Sequence, residues 1–121
     1  RAYNPHGYVK GQNLKQERIQ RFDALIQQHF RTIKLPSSYA EMLHVSSSYL
    51  NFICKELRGY TAGALIRKRV LLEANRMLLH TNDSINEIAD QLGFDSTSYF
   101  VTFYKKQTKT TPEQFRKSEN N

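Results

Sequence analysis

The sequence predicts an all-α chain of seven helices. Three observations carry that expectation: apolar residues recur at three- and four-residue intervals in one segment after another, capping or stop residues bound those segments, and nowhere does the strict alternation of a hairpin appear.

Residues 1–16, "RAYNPHGYVKGQNLKQ", mix Gly, Pro, Asn and Gln without a sustained apolar period and read as a linker or lead-in. From Glu17 the pattern changes, with Ile19, Phe22, Leu25, Ile26 and Phe30 at helical spacing between charged and amide residues. Pro36, pre-set for a first turn, opens a second helix carrying Tyr39, Ala40 and Leu43, and "VSSS" supplies the next turn and cap. A third helix places Tyr49, Leu50, Ile53, Cys54 and Leu57 on its apolar side, with Gly59 as its stop. Thr61 opens the longest periodic stretch, to about His80, whose apolar face holds Leu65, Ile66, Val70, Ala74, Met77 and Leu78. Ser84 with Glu87 three residues on is a capping box that fixes the start of a fifth helix, and Gly93 closes it. A sixth runs through Tyr99, Phe100, Phe103 and Tyr104, and Thr111-Pro112 with Gln114 starts a short seventh.

An internal repeat organises these elements. "AEMLHVSSSYLNFICKE" (40–56) and "ADQLGFDSTSYFVTFYKK" (89–106) share an alanine, a leucine three residues on, a Ser-rich turn, Ser-Tyr followed by Leu or Phe, and a later lysine. Ala40 and Ala89 fall where two crossing helices approach closely, a place a larger side chain would force apart. Each copy therefore reads as a helix-turn-helix, a unit whose second helix can enter a DNA major groove. The expected organisation is a first subdomain at 17–60, a joining helix at 61–80, a second subdomain at 81–118 and a tail at 119–121.

The chain has 121 residues, enough for a modest helical core but not for a large enzyme cleft. With 18 Lys+Arg against 11 Asp+Glu its formal charge is +7, and its pI is near 9.7, a balance that suits an anionic partner, nucleic acid before a membrane surface. The single Cys54 cannot close an internal disulfide, and His6, His29, His44 and His80 lack ligand spacing, so no metal, cofactor or catalytic constellation is expected. No apolar run approaches the ~18 residues of a membrane span, and a cytoplasmic, reduced setting fits. The chain begins on Arg1 rather than Met, which suggests a piece of something longer.

"SINEIADQLGF", the nearby Ser-Tyr-Phe, Lys105-Lys106 and the Thr-x-x-Thr-Pro-x-x-Phe-Arg run at 108–116 resemble, in order and spacing, the C-terminal signature of the AraC/XylS family of bacterial transcription regulators. "LLEANRMLLHTNDSI" is similar to the exit of its linker helix, and the resemblance covers about residues 17–118. It implies two helix-turn-helix units reading neighbouring major-groove segments of double-stranded promoter or operator DNA, held near one DNA turn apart, roughly 34 Å. It also implies contact with RNA polymerase and an effector or dimerisation domain ahead of residues 1–16.

Carried across residue by residue, the first recognition helix would present Ser47, Ser48, Asn51 and Phe52 to bases, and the second Thr97, Ser98, Val101 and Thr102. Phosphate contacts would fall to Lys55, Arg67, Lys68, Arg69, Lys105, Lys106 and Lys109, with Arg116-Lys117 a further basic cluster. Many members carry arginine where this chain has Phe52 and Thr102, which removes the commonest guanine contact and leaves Asn51 to read adenine. Lys109 stands where the family usually has glycine, so either a left-handed turn there is strained or the turn is built differently. Ser47 and Ser84 are expected to cap helices, and Tyr49, Tyr99, Phe100 and Phe103 to sit in the core. The alternative function is a helical protein-interaction module that keeps the fold and has lost base recognition.

Overall fold

The computed structural model describes the backbone of residues 6–119 and the side chains of residues 13–119. Among the described residues there are seven helices, α1 (His6–His29), α2 (Pro36–Met42), α3 (Ser47–Arg58), α4 (Ala62–His80), α5 (Ile85–Gln91), α6 (Thr97–Thr108) and α7 (Pro112–Glu119), and no strand. Two compact units divide the chain between Ile66 and Arg67, so the long helix is shared between them, its first turn belonging to one unit and the rest to the other.

In the first unit α1 starts well before Glu17, the start its apolar period suggested. Once the buried face of Ile19, Phe22, Ile26 and Phe30 fixes the helix, each further turn costs little, and the Lys- and Gln-containing residues before Glu17 lie on the helix that it nucleates. That face packs with α2 and α3, where Tyr39, Ala40, Leu50, Ile53 and Cys54 are buried. Phe22 meets Tyr39 edge-on at 5.5 Å, and the Tyr39 hydroxyl donates to the Ile33 carbonyl at 2.7 Å. Burial pushes the pKa of this phenol up to about 12 and that of the Cys54 thiol up to about 11, so Cys54 packs as a small apolar group rather than a nucleophile.

In the second unit Val70, Ala74, Met77 and Leu78 of α4, Ile88, Ala89 and Leu92 of the α5 region, and Phe100 and Tyr104 of α6 form the core. An aromatic run threads it: Phe94 to Phe100 at 5.3 Å, Phe100 to Tyr104 at 6.1 Å and Tyr104 to Phe115 at 6.2 Å. The Tyr104 hydroxyl, which cannot be buried alone without cost, donates to Asn75 Oδ1 at 2.6 Å. The Ser84–Glu87 capping box forms reciprocally at 2.7 and 3.0 Å, and Thr111 with Gln114 repeats it at the start of α7.

Arg116 belongs to this fold and not to the basic clusters. Its guanidinium donates to the carbonyls of Leu78 (3.0 Å), Asp83 (2.6 Å), Met77 (3.3 Å) and Thr81 (3.2 Å). These include the orphan acceptors that the end of α4 leaves open, and a planar fork with five donors suits them.

Both helix-turn-helix turns use the same stop. The Val45 N–H donates to the Ala40 carbonyl and the His44 N–H to that of Glu41; in the second copy Phe94 donates to Ala89 and Gly93 to Asp90. This is a Schellman motif, and its central residue must be left-handed: His44 has φ 59° and Gly93 φ 83°. The recognition helices also end left-handed, at Gly59 (φ 79°) and Lys109 (φ 69°). Each unit therefore places one glycine and one strained side chain, at opposite stops. A left-handed non-glycine residue costs about 1–2 kcal/mol, part of which glycine returns as chain entropy in the unfolded state. His44→Gly and Lys109→Gly should each stabilise the protein by roughly 0.5–1 kcal/mol in urea denaturation; a loss of stability in both would mean that these turns carry no strain.

Candidate nucleic-acid interface

The two recognition helices, α3 and α6, are built alike. Ser46 caps α3, its Oγ accepting from the Tyr49 N–H at 3.0 Å, and Ser96 caps α6 by the same bond to Tyr99 at 3.2 Å. The cap of α3 is thus Ser46 and not Ser47, which occupies the first helical position with its side chain exposed. The second turn is one residue longer than the first, Asp95 being the addition, so matching positions of α3 and α6 lie fifty residues apart.

Outward from those caps run Ser47, Ser48, Phe52 and Lys55 on α3 and Ser98, Thr102, Lys105 and Lys106 on α6, all exposed. Phe52 is 53% exposed, at the position matching Thr102. Val101 is half-buried. Polar atoms that decorate an exposed helix face, with lysines in its last turn, are what base-edge and phosphate contacts require.

Two expected base readers are committed elsewhere. The Ala62 N–H, an orphan donor at the first position of α4, donates to Asn51 Oδ1 at 2.9 Å. A bidentate contact to adenine needs that oxygen and the amide NH2 together, so the fork proposed for Asn51 is occupied by the fold. Asn51→Ala should therefore cost the first unit about 1 kcal/mol, as the loss of a helix cap does, and leave base preference unchanged in a randomised-site selection. A change at one base position without loss of stability would return Asn51 to the reading face. Thr97 is likewise half-buried, and its hydroxyl is hydrogen-bonded to Asn86 Oδ1.

The basic residues also divide. Arg67, Lys68, Lys105, Lys106 and Lys109 are exposed, but Arg69 is half-buried with Nη1 3.9 Å from Glu73. Glu73 is 6% exposed and takes a two-point contact from Arg76 at 3.0 and 2.7 Å. Arg69 thus serves a buried carboxylate, which a phosphate contact would abandon.

Two features escaped the sequence. Tyr99, expected in the core, is 65% exposed; its counterpart Tyr49 is half-buried because Arg18 lies over its ring at 5.3 Å and donates to its hydroxyl at 3.2 Å. The second is Lys15, whose ammonium lies 5.2 Å from the centre of the Phe52 ring and 2.9 Å from Glu56 Oε1. The repeat alone could not reveal either, since the partners come from α1, more than thirty residues away.

A family model described as a helix-turn-helix domain matches residues 39–118. "Probable transcription factor PqrA" of Proteus vulgaris is 41% identical over 73 residues, 60% of this chain and 60% of that protein. The xylose operon regulatory protein of Escherichia coli (strain K12) is 39% identical over 72 residues, 60% of this chain and 18% of that protein. The chain spans less than two thirds of the length of these relatives. Among solved structures, the C-terminal domain of AraT, a response regulator from Geobacillus stearothermophilus, is 35% identical, with a TM-score of 0.77 and 84% of each chain covered. The matched span takes in both recognition helices, both Schellman turns and the α4 that the units share: this chain belongs to the AraC/XylS family of helix-turn-helix DNA-binding domains.

Proposed function

We propose that this domain reads double-stranded promoter or operator DNA on behalf of a bacterial transcription regulator, with α3 and α6 each laid in a major-groove segment. The observation that carries this is the duplicated recognition helix: same serine cap, same left-handed stop, and the exposed sets Ser48, Phe52, Lys55 and Ser98, Thr102, Lys105 at matching positions. Lys55, Arg67, Lys68, Lys105, Lys106 and Lys109 would neutralise phosphates and set the register, while Ser47, Ser48, Phe52, Ser98, Val101 and Thr102 meet base edges. Phe52, the Val101 methyls and the Thr102 methyl suit contact with thymine methyl groups. In the whole regulator, an effector or dimerisation domain would be joined to α1, RNA polymerase would be met by the bound domain, and the site of action would be the cytoplasm. Among the described residues no helix is long and apolar enough to cross a membrane.

Selection of bound duplexes from a randomised library tests the reading, and Thr102→Arg sharpens it. An arginine there restores the fork that holds guanine O6 and N7, so affinity should rise and guanine should be enriched at one position of the site, a discrimination of about 1–3 kcal/mol. A uniform gain for every duplex would place residue 102 on phosphate instead of a base.

A further inference from the structure

We infer that Lys15, on the part of α1 that precedes Glu17, is a DNA-contacting residue beside the first recognition helix, standing in for a cation that position 52 does not supply. The inference rests on the reading of α3 as a DNA-facing helix.

The outward face of α3 holds one lysine, Lys55, and next to it the exposed carboxylate of Glu56; in the second unit the corresponding pair is Lys105-Lys106. Left alone, Glu56 would repel a phosphate where its counterpart attracts one. Lys15 removes that penalty, pairing with Glu56 Oε1 at 2.9 Å while its ammonium stands over the face of Phe52 at 5.2 Å. The ring is 53% exposed and occupies the place matching Thr102, so the cation comes to rest on the reading surface itself.

From Ile19 onward apolar burial holds α1 against α3; at Lys15 the contacts are polar. Leu14, next to Lys15, is 45% exposed, and what ties this stretch to α3 is polar: Lys15 to Glu56 and Arg18 to Tyr49. Both the Lys15 and Glu56 side chains are partly in solvent, at 25% and 41%. A pair of this kind, partly in solvent, is weakly held, and the four-carbon stem lets the ammonium turn from the carboxylate to a phosphate. The geometry thus offers a cation from a second element, guided by an aromatic surface, where an arginine on α3 would have carried its own.

The test measures binding of the 121-residue chain to a duplex recovered from the randomised library, by fluorescence anisotropy across salt concentrations. Lys15→Gln should lower the log–log salt slope by about 0.9 and weaken binding about fivefold at 0.15 M salt, the ratio that slope gives between 1 M and 0.15 M. Lys15→Arg keeps the charge and should keep both values. Glu56→Gln releases Lys15 and should tighten binding. Melting curves followed by circular dichroism confirm that each variant is folded. If Lys15→Gln leaves slope and affinity unchanged while Lys105→Gln lowers both, Lys15 is only a clamp between α1 and α3 and the inference is overturned with the DNA reading intact. If the parent chain shows no salt-dependent duplex binding, the DNA reading falls and this inference falls with it.

Discussion

Arg116→Ala is expected to remove about 3 kcal/mol from the stability of the second unit, the largest loss from any single charged side chain on this surface. The guanidinium meets four carbonyls at 2.6 to 3.3 Å, and a hydrogen bond from a charged donor contributes about 1.5–3 kcal/mol, with four on one group far from additive. Truncation also strips the positive charge from the C-terminal end of α4, where the helix dipole favours a cation. Arg116→Lys should recover less than half, because one ammonium cannot span acceptors that a planar fork reaches together. Urea denaturation followed by circular dichroism measures both variants. An Arg116→Ala midpoint equal to the parent's, with a reduced salt slope in DNA binding, would place this residue among the phosphate contacts.

Duplex affinity should fall roughly 250-fold between about 50 and 200 mM salt, which corresponds to a log–log slope of magnitude ~4 and the neutralisation of about five phosphates. The six exposed cations Lys55, Arg67, Lys68, Lys105, Lys106 and Lys109 are sufficient for that without Arg69 or Arg116. Lys55→Glu and Lys105→Glu should each weaken binding about tenfold or more, and equally for every sequence, since a phosphate contact positions the protein without reading bases. Anisotropy titrations at several salt concentrations give both numbers. A flat profile would instead support a protein-interaction module that has kept the fold.

What could be read from the sequence was whatever is decided within a few residues. The Ser84–Glu87 and Thr111–Gln114 boxes, the Pro36 start, the stops at Gly59 and Gly93 and the periods of α2 to α7 are local chemistry, and the structure forms all of them. The repeat carried further, since it placed the two recognition helices and hence the exposed Ser48, Thr102 and Lys105. What stayed hidden depends on distant partners. Arg116 reads as one more cation until carbonyls 33 to 39 residues away are brought beneath it. Asn51 has the chemistry of an adenine reader, yet it faces an N–H eleven residues on that nothing else satisfies. Tyr49 and Tyr99 are the same letter at the same place in the repeat, and Arg18 and the Phe52 ring beside the first give it an environment the second lacks. Lys15, ahead of the apolar period of α1, is tied to α3 by an ion pair and a ring contact, and neither leaves a period in the sequence.

The bond from Ala62 to Asn51 gives the first unit a built-in gauge of its own recognition helix. The first amides of a helix ordinarily exchange their protons with solvent freely, having no partner within the helix. Here that proton is held by a side chain of α3, so its exchange is slowed for as long as Asn51 stays seated against the start of α4. Its protection factor therefore measures how firmly the reading helix is seated, one residue and one atom at a time, with no probe attached. A ligand that presses α3 into place would slow this single amide, and one that loosens α3 would release it before the core of the unit opens.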